Sequence, residues 1–436
     1  MKTFKSLVLL ALICYLSNAS AQRIDVKEKA RNAATNRADQ KVDNTIDKSL
    51  DKIEEGIGGL FKKKNKSTKE TGKDKSQKRN DVAAEDQQQP SFATYNKFDF
   101  IPGDKILAFD DFKQDALGDL PAKWNSTGAA EIAKINGSEF NWVQLSGGDA
   151  YFNPQYITQM PDNCTVDFDM VINYSKVAYA YYQLRFGIEI ISSATAKAQT
   201  ENANVSANTG LTFNIHPYSD QEIHAISYLK GETQLETKAQ FPALSSPAPI
   251  HISIMRQQQR VKIYFNDKKV YDLPQGLPPA QHYYLRFSAL IDAWNDNQNI
   301  AKMYVSNLRY AAGKPDMRNK LLSEGKLVTR GILFDPGSAI VKPESAGVLK
   351  EIAAILNEHK ELRVKIIGHT DSDGDNAKNQ QLSEARAMAI KSILVEQYQV
   401  NEDYMTAEGK GETQPVDGNA TTAGKANNRR VEFVKL

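Results

Sequence analysis

Asp371 and Arg386 have the clearest chemistry to offer in this chain. Asp371 follows a stretch that reads as a strand, Leu362–Ile367, and Arg386 sits early in the helical stretch that comes next, so both can face one pocket between those elements. A carboxylate there suits an ammonium. The planar guanidinium fork of arginine suits a carboxylate in a way that lysine's point charge does not. The residues alone leave a second reading open, in which Asp371 caps a turn and Arg386 is one more helix-surface cation.

Other groups invite weaker chemistry. Asp167 and Asp169, in Thr165-Val166-Asp167-Phe168-Asp169-Met170, share one face of a strand, a spacing at which paired acids can cleave glycosidic bonds. Solvent-facing residues have the same spacing, and with Val166, Phe168 and Met170 supplying the buried face, exposed polar positions are the expectation. Asp292, Asn295, Asp296 and Asn297 could hold calcium but lack an ordered loop motif, so a plain turn is expected. Tyr179, Tyr181, Tyr182 and Trp294 could stack on sugar rings, against ordinary strand-face packing. His369 has no second histidine or cysteine at metal spacing, so neither a metal nor a cofactor is expected.

At the start of the chain, Lys2 and Lys5 precede the apolar stretch Leu7–Leu16 and the small-x-small site Ala19-Ser20-Ala21. That is the layout of a secretory signal over residues 1–21, too short for a membrane span of roughly 20 apolar residues. Cys14 follows Ile13, where a lipidation signal wants a small residue. Removal of the signal leaves Cys164 alone, which rules out an internal disulfide and predicts a buried apolar thiol. Residues 22–61 put Val42, Ile46, Leu50, Ile53, Ile57 and Leu60 on one stripe of an amphipathic helical segment; a short coiled coil and a membrane-surface helix are the sharper alternatives. Residues 62–103 form a basic, largely disordered linker. Its run from Lys62 to Arg79 has no aliphatic or aromatic residue to bury, and it could also touch an anionic surface. A formal net charge of +2 argues against nucleic-acid binding.

Residues 104–312 change character: aromatics become frequent, and Thr165–Met170 and Gln183–Ile190 alternate polar with apolar side chains. Ile252–Tyr271 reads as two strands, with Arg256–Arg260 between them and Asn266-Asp267 as a further turn. Leu211–Ile215, Ile223–Leu229, Tyr283–Phe287 and Lys302–Tyr310 add more. Many short strands predict an all-β jelly-roll sandwich; a small outer-membrane barrel, which needs an even rhythm of longer strands, is the rival. Phe109-Asp110-Asp111-Phe112, Leu120–Trp124 and Val305–Tyr310 resemble concanavalin-like or laminin-G-like domains. That resemblance implies a face for a glycan or an outer-membrane protein.

After a connector over residues 313–326, residues 327–436 alternate: strand Leu327–Phe334, a helix opened by Pro343-Glu344, strand Leu362–Ile367, helix Gln380–Tyr398, and strands Tyr404–Glu408 and Arg430–Val434. The chain thus reads as multidomain, the sandwich followed by an α+β domain of order βαβαββ. Gly368-His369-Thr370-Asp371-Ser372-Asp373-Gly374, Asn379, Leu382-Ser383, Arg386-Ala387, Gly411-Glu412, Pro415, Asn419, Gly424 and Asn428-Arg429-Arg430-Val431-Glu432 follow in order. Together they resemble the OmpA-like peptidoglycan-binding domain. Lys425 stands where members often have arginine.

The resemblance implies a non-catalytic anchor without cofactor that holds the diaminopimelate end of the stem peptide. Asp371 and Arg386 match the family's acidic and basic ligand positions; Asn379, Leu382, Thr370, Phe334 and Asp335 would be further walls. It also implies an exported protein in the periplasm, associated with the outer membrane and wall of a Gram-negative-type bacterium. A glycoside hydrolase-like sandwich tethered to the wall is the alternative. Gly374 and Gly424 are expected in tight turns, and Arg429 and Arg430 in structural pairs.

Overall fold

The computed structural model describes residues 98–436 except for 147, 175–184, 193–208, 218–220, 242–243, 245–247, 291–300 and 314–315. The signal, the helical segment over 22–61, the Lys62–Arg79 run, Tyr179, Tyr181, Tyr182, Trp294 and the Asp292–Asn297 cluster lie outside the described residues.

Strand-forming alternation gives β1 (Lys105–Asp110), β2 (Trp124–Ser126), β3 (Ala129–Lys134), β4 (Asn141–Ser146), β5 (Ala150–Pro154), β6 (Asn163–Tyr174), β7 (Arg185–Ser192) and β8 (Thr209–His216). These are followed by β9 (Glu222–Leu229), β10 (Glu232–Gln240), β11 (Ile250–Gln257), β12 (Arg260–Phe265), β13 (Lys268–Leu273), β14 (Tyr284–Leu290) and β15 (Ala301–Ala312). One sheet runs β13-β12-β11-β6-β15-β4-β3 with β1 also on β15; the other runs β10-β9-β8-β7-β14-β5-β2. Among the described residues neither sheet closes on itself, so the two form an open sandwich, in line with the sequence expectation.

The core lies where the inward faces meet. Val166, Phe168 and Met170 of β6, Phe186, Ile188 and Ile190 of β7, and Phe287 of β14 fall in one buried cluster. Phe168 packs edge-on to Phe287 at 5.2 Å, and Trp124 stacks on its ring at 5.7 Å. The stretch Ile252–Tyr271 belongs to three strands rather than two, because Gln258 and Asn266 take left-handed φ of 56° and 53° and turn the chain twice. Cys164 is buried in the same core, which pushes its thiol up to about 12.

Asp167 and Asp169 do share a face, but it is not a solvent face. Asp167 is 2% exposed and receives both the Nε and Nη2 of Arg309, at 3.0 and 2.8 Å. Asp169 pairs with His251 Nδ1 at 2.8 Å and accepts from Asn307 at 2.8 Å. The outward face of this sheet is covered: Arg309 also donates to the Arg330 carbonyl, and Ala346 packs against Phe98, Phe100, Met255 and Tyr264. The two acids are therefore spent on an ion-pair network, which removes the geometric basis for a hydrolase reading at this pair.

That network carries a pH dependence. Burial alone would depress the His251 imidazole, but the hydrogen bond and charge of Asp169, with Asp167 and Glu344, hold it above its usual 6.5. Stability from a raised histidine is fully present below 6.5 and is lost as pH rises through the folded value. Burial works against the Asp169 carboxylate, and His251 and Asn307 outweigh it and hold its value down. Its share is present above 3.8 and lost as pH falls through the folded value. We expect the unfolding free energy to decline from pH 6.5 upward, and His251→Phe to flatten that decline in chemical denaturation measured across pH. An unchanged slope in the variant would exclude His251 as its source.

The C-terminal region contains α1 (Met317–Leu322), β16 (Lys326–Thr329), α2 (Ala346–Glu358), β17 (Val364–Gly368), α3 (Asn376–Glu396), β18 (Met405–Gly409), α4 (Thr422–Asn428) and β19 (Val431–Lys435). The sheet order is β16-β19-β17-β18, and β17 runs parallel to β18 because α3 carries the crossover. The α2 positions Val348, Ile352, Ile355 and Leu356 are all buried, as their spacing predicts. The α+β order holds with one added element, α4. Gly424 belongs to that helix rather than to a tight turn: a Cβ there would meet the Gly418 carbonyl oxygen at 1.8 Å.

Helix α4 docks on β1. Asn427 imitates a strand neighbour, accepting from the Ile106 N–H at 3.2 Å and donating to its carbonyl at 3.1 Å. Thr422 donates its hydroxyl to the Phe109 carbonyl at 2.6 Å, and Lys320 pairs with Asp104 at 2.5 Å. Asn427→Ala should leave a buried donor and acceptor of β1 unmet and lower the unfolding free energy by about 1–3 kcal/mol in chemical denaturation. A loss of a few tenths would mean water replaces the side chain without penalty.

Candidate functional site

The site is built where β17 hands over to α3. Gly368 ends the strand so close to the helix that an added Cβ would lie 2.2 Å from the Ser383 carbonyl oxygen. That approach puts the following residues beside the first turns of α3. The main chain is then pinned on both sides: the His369 N–H donates to the Arg430 carbonyl at 3.0 Å and the Thr370 N–H to the Gly411 carbonyl at 2.9 Å. Gly374 turns the chain with φ of 95°, and Asp375 caps α3 by accepting from the N–H groups of Ala377 and Lys378.

Asp371, 8% exposed, stands in this corner. One carboxylate oxygen accepts from the Asp373 N–H at 3.1 Å, so the turn-capping reading is part of the truth. The other forms an ion pair with the guanidinium of Arg429. Arg386, half-buried on α3, feels the charges of both Arg429 and Asp371. Burial, and then the Arg429 charge, push its guanidinium down to about 10, against the pull of Asp371. Two guanidinium groups and one carboxylate thus lie within electrostatic reach of one another.

The remaining expected walls have distinct roles. Asn379 is 6% exposed and donates to the carbonyls of Asp371 and Asp373, at 3.4 and 3.0 Å, and to Glu412 at 2.6 Å. It fixes the loop that carries Asp371. Leu382 is half-buried one turn before Arg386, and Thr370 is buried beside Asp371. Phe334 and Asp335 belong to a short segment that closes on itself, with the Asp335 N–H donating to Ile340 and the Ser338 N–H to Asp335, both at 3.1 Å. Lys425 pairs with Asp373 at 2.7 Å. His369 sits 3.6 Å from Glu432, which Lys326 and Arg430 also hold. Among the described residues no group of three histidine, cysteine, aspartate or glutamate side chains is placed to hold a metal ion.

Arg429 and Arg430 are both ion-paired, as expected, but on opposite sides of the chain. Arg430 does form a structural pair with Glu432, at 2.8 Å, but Arg429 points the other way and reaches Asp371. Alternation along the chain separates the two arginines. It does not say that the Arg429 side meets residue 371.

Residues 333–429 match the model of the OmpA family. The C-terminal region is similar to the outer membrane porin F of Pseudomonas fluorescens, 45% identical over 101 residues, 23% of this chain and 31% of the porin. The match therefore spans less than a third of that relative. It is similar also to the solved peptidoglycan-associated lipoprotein from Burkholderia pseudomallei, 30% identical, covering 24% of this chain and 88% of that one with a TM-score of 0.23. The sandwich region is similar to the carbohydrate recognition domain of Emp47p, 12% identical, covering 48% of this chain and 98% of that one with a TM-score of 0.36. No helix among the described residues is long and apolar enough to cross a membrane.

Proposed function

We propose that the C-terminal domain binds the zwitterionic, diaminopimelate-type end of the peptidoglycan stem peptide, and so anchors a non-catalytic envelope protein to the cell wall. What supports this reading is that Asp371 and Arg386 lie within electrostatic reach of each other in a region that matches the OmpA family. Asp371 takes the ligand ammonium; Arg386 takes its carboxylate with a planar fork. A relative of this region bears the name peptidoglycan-associated lipoprotein, which fits the same ligand class. The sandwich then sits at the wall and is free to hold a glycan or an envelope protein.

Charged hydrogen bonds contribute about 1.5–3 kcal/mol each before ordering is subtracted, so a single stem is held modestly. Firm attachment comes from the many identical stems of one polymer. The test is cosedimentation of the chain, without residues 1–21, with purified peptidoglycan. We expect the protein to pellet and free meso-diaminopimelate in excess to release it. Protein that stays in the supernatant, or that pellets and resists the competitor, would sink the stem-peptide reading.

A further inference from the structure

We infer that the ligand corner is completed by the sandwich: Phe109 of β1 holds Arg429 at Asp371, and Arg429 strengthens the demand for a free ligand carboxylate that Arg386 already makes. The inference rests on the stem-peptide reading and adds a specificity determinant to it.

The Arg429 guanidinium carbon lies 5.3 Å from the centre of the Phe109 ring, while the same guanidinium pairs with Asp371. Phe109 is itself fixed. It packs with Ile106, Ala311 and Ala426, and its carbonyl accepts from Thr422. Arg429 follows α4 directly, the helix that Asn427 ties to β1. The docking contacts therefore converge on an arginine that pairs with the ammonium-binding carboxylate.

Chemistry gives this arrangement a sign. In the free protein Arg429 occupies the Asp371 oxygen that an incoming ammonium needs, so a ligand offering only an ammonium must displace it and receives nothing in return. A ligand that also brings a carboxylate gives Arg429 a new partner beside Arg386, and the ion pair is exchanged rather than lost. The ring beneath Arg429 keeps the guanidinium near the corner during the exchange. A stem whose free end is amidated loses that benefit.

The experiment is calorimetric titration of the full chain, without its signal, with two soluble muropeptides, one with the free diaminopimelate carboxylate and one amidated there. Wild type should prefer the free acid. Arg429→Ala should weaken the free acid about tenfold and leave the amide unchanged or tighter, cutting the preference by at least that factor to the part that Arg386 supplies. Phe109→Ala should lower the preference in the same direction by a smaller factor, and should add nothing when combined with Arg429→Ala. Phe109→Leu keeps the packing without the aromatic face and guards against a loss that merely reflects undocking, and each variant is melted to confirm its fold. A preference equal to wild type in Arg429→Ala or in folded Phe109 variants, while Asp371→Asn and Arg386→Ala lose binding, overturns this inference and leaves the proposed function standing. Full binding by Asp371→Asn and Arg386→Ala overturns both.

Discussion

Arg386→Ala should abolish retention on peptidoglycan while the domain stays folded. The half-buried guanidinium lies within electrostatic reach of Asp371, and its loss removes the planar donor to the ligand carboxylate, about 2 kcal/mol or roughly thirtyfold at a single stem. On a polymer the effect compounds, because every bridging contact weakens together. Arg386→Lys keeps the charge without the fork and should recover only part of the binding. Asp371→Asn is the matched change: an amide oxygen can still accept from the Asp373 N–H, so the turn persists, but the charge that takes the ammonium is gone. Pelleting at wild-type levels for both variants, with normal melting, would refute the assignment of the site.

The largest expected effect on stability lies on the other sheet of the sandwich. Glu189 of β7 and Arg286 of β14 are 2% and 0% exposed and pair through Nε at 2.7 Å and Nη2 at 2.6 Å. Ser288 donates to the second carboxylate oxygen at 2.6 Å, and the Arg286 guanidinium stacks 4.1 Å from the Tyr151 ring. Arg286→Ala strands a buried carboxylate and should lower the unfolding free energy by about 3–5 kcal/mol, read from the denaturant midpoint. The double change Glu189→Gln with Arg286→Met removes both charges and should restore much of the loss. If the single variant loses less than about 1 kcal/mol, water reaches Glu189 and the pair is not a sealed one.

Much of the architecture was legible because it rests on local periodicity. Alternation in Thr165–Met170 placed Val166, Phe168 and Met170 in the core, and the stripe of α2 predicted its buried face. The spaced residues around Gly368–Gly374 pointed to the family that the region 333–429 matches. Helix α4 escaped notice because seven residues, Thr422–Asn428, are too few to show a period, and Gly424 and two asparagines imitate a loop.

What the chain alone could not decide is which faces are covered and which distant side chains meet. A period of two says that Asp167 and Asp169 share a face. Only packing reveals that Ala346 and the Phe98–Phe100 stretch lie over that side of the sheet, turning acids expected in water into ion-paired residues. The corner opened by Asp371 and Arg386 shows the same division. Strand end, turn and helix start made their approach predictable, being 15 residues apart on consecutive elements. Arg429 reaches Asp371 across 58 residues, and its ring partner Phe109 comes from another layer of the molecule, so their meeting depends on how β1 and α4 dock. Local sequence sets backbone geometry and the direction of each side chain; the burial of charge and the composition of a site follow from tertiary contact, which no local period encodes.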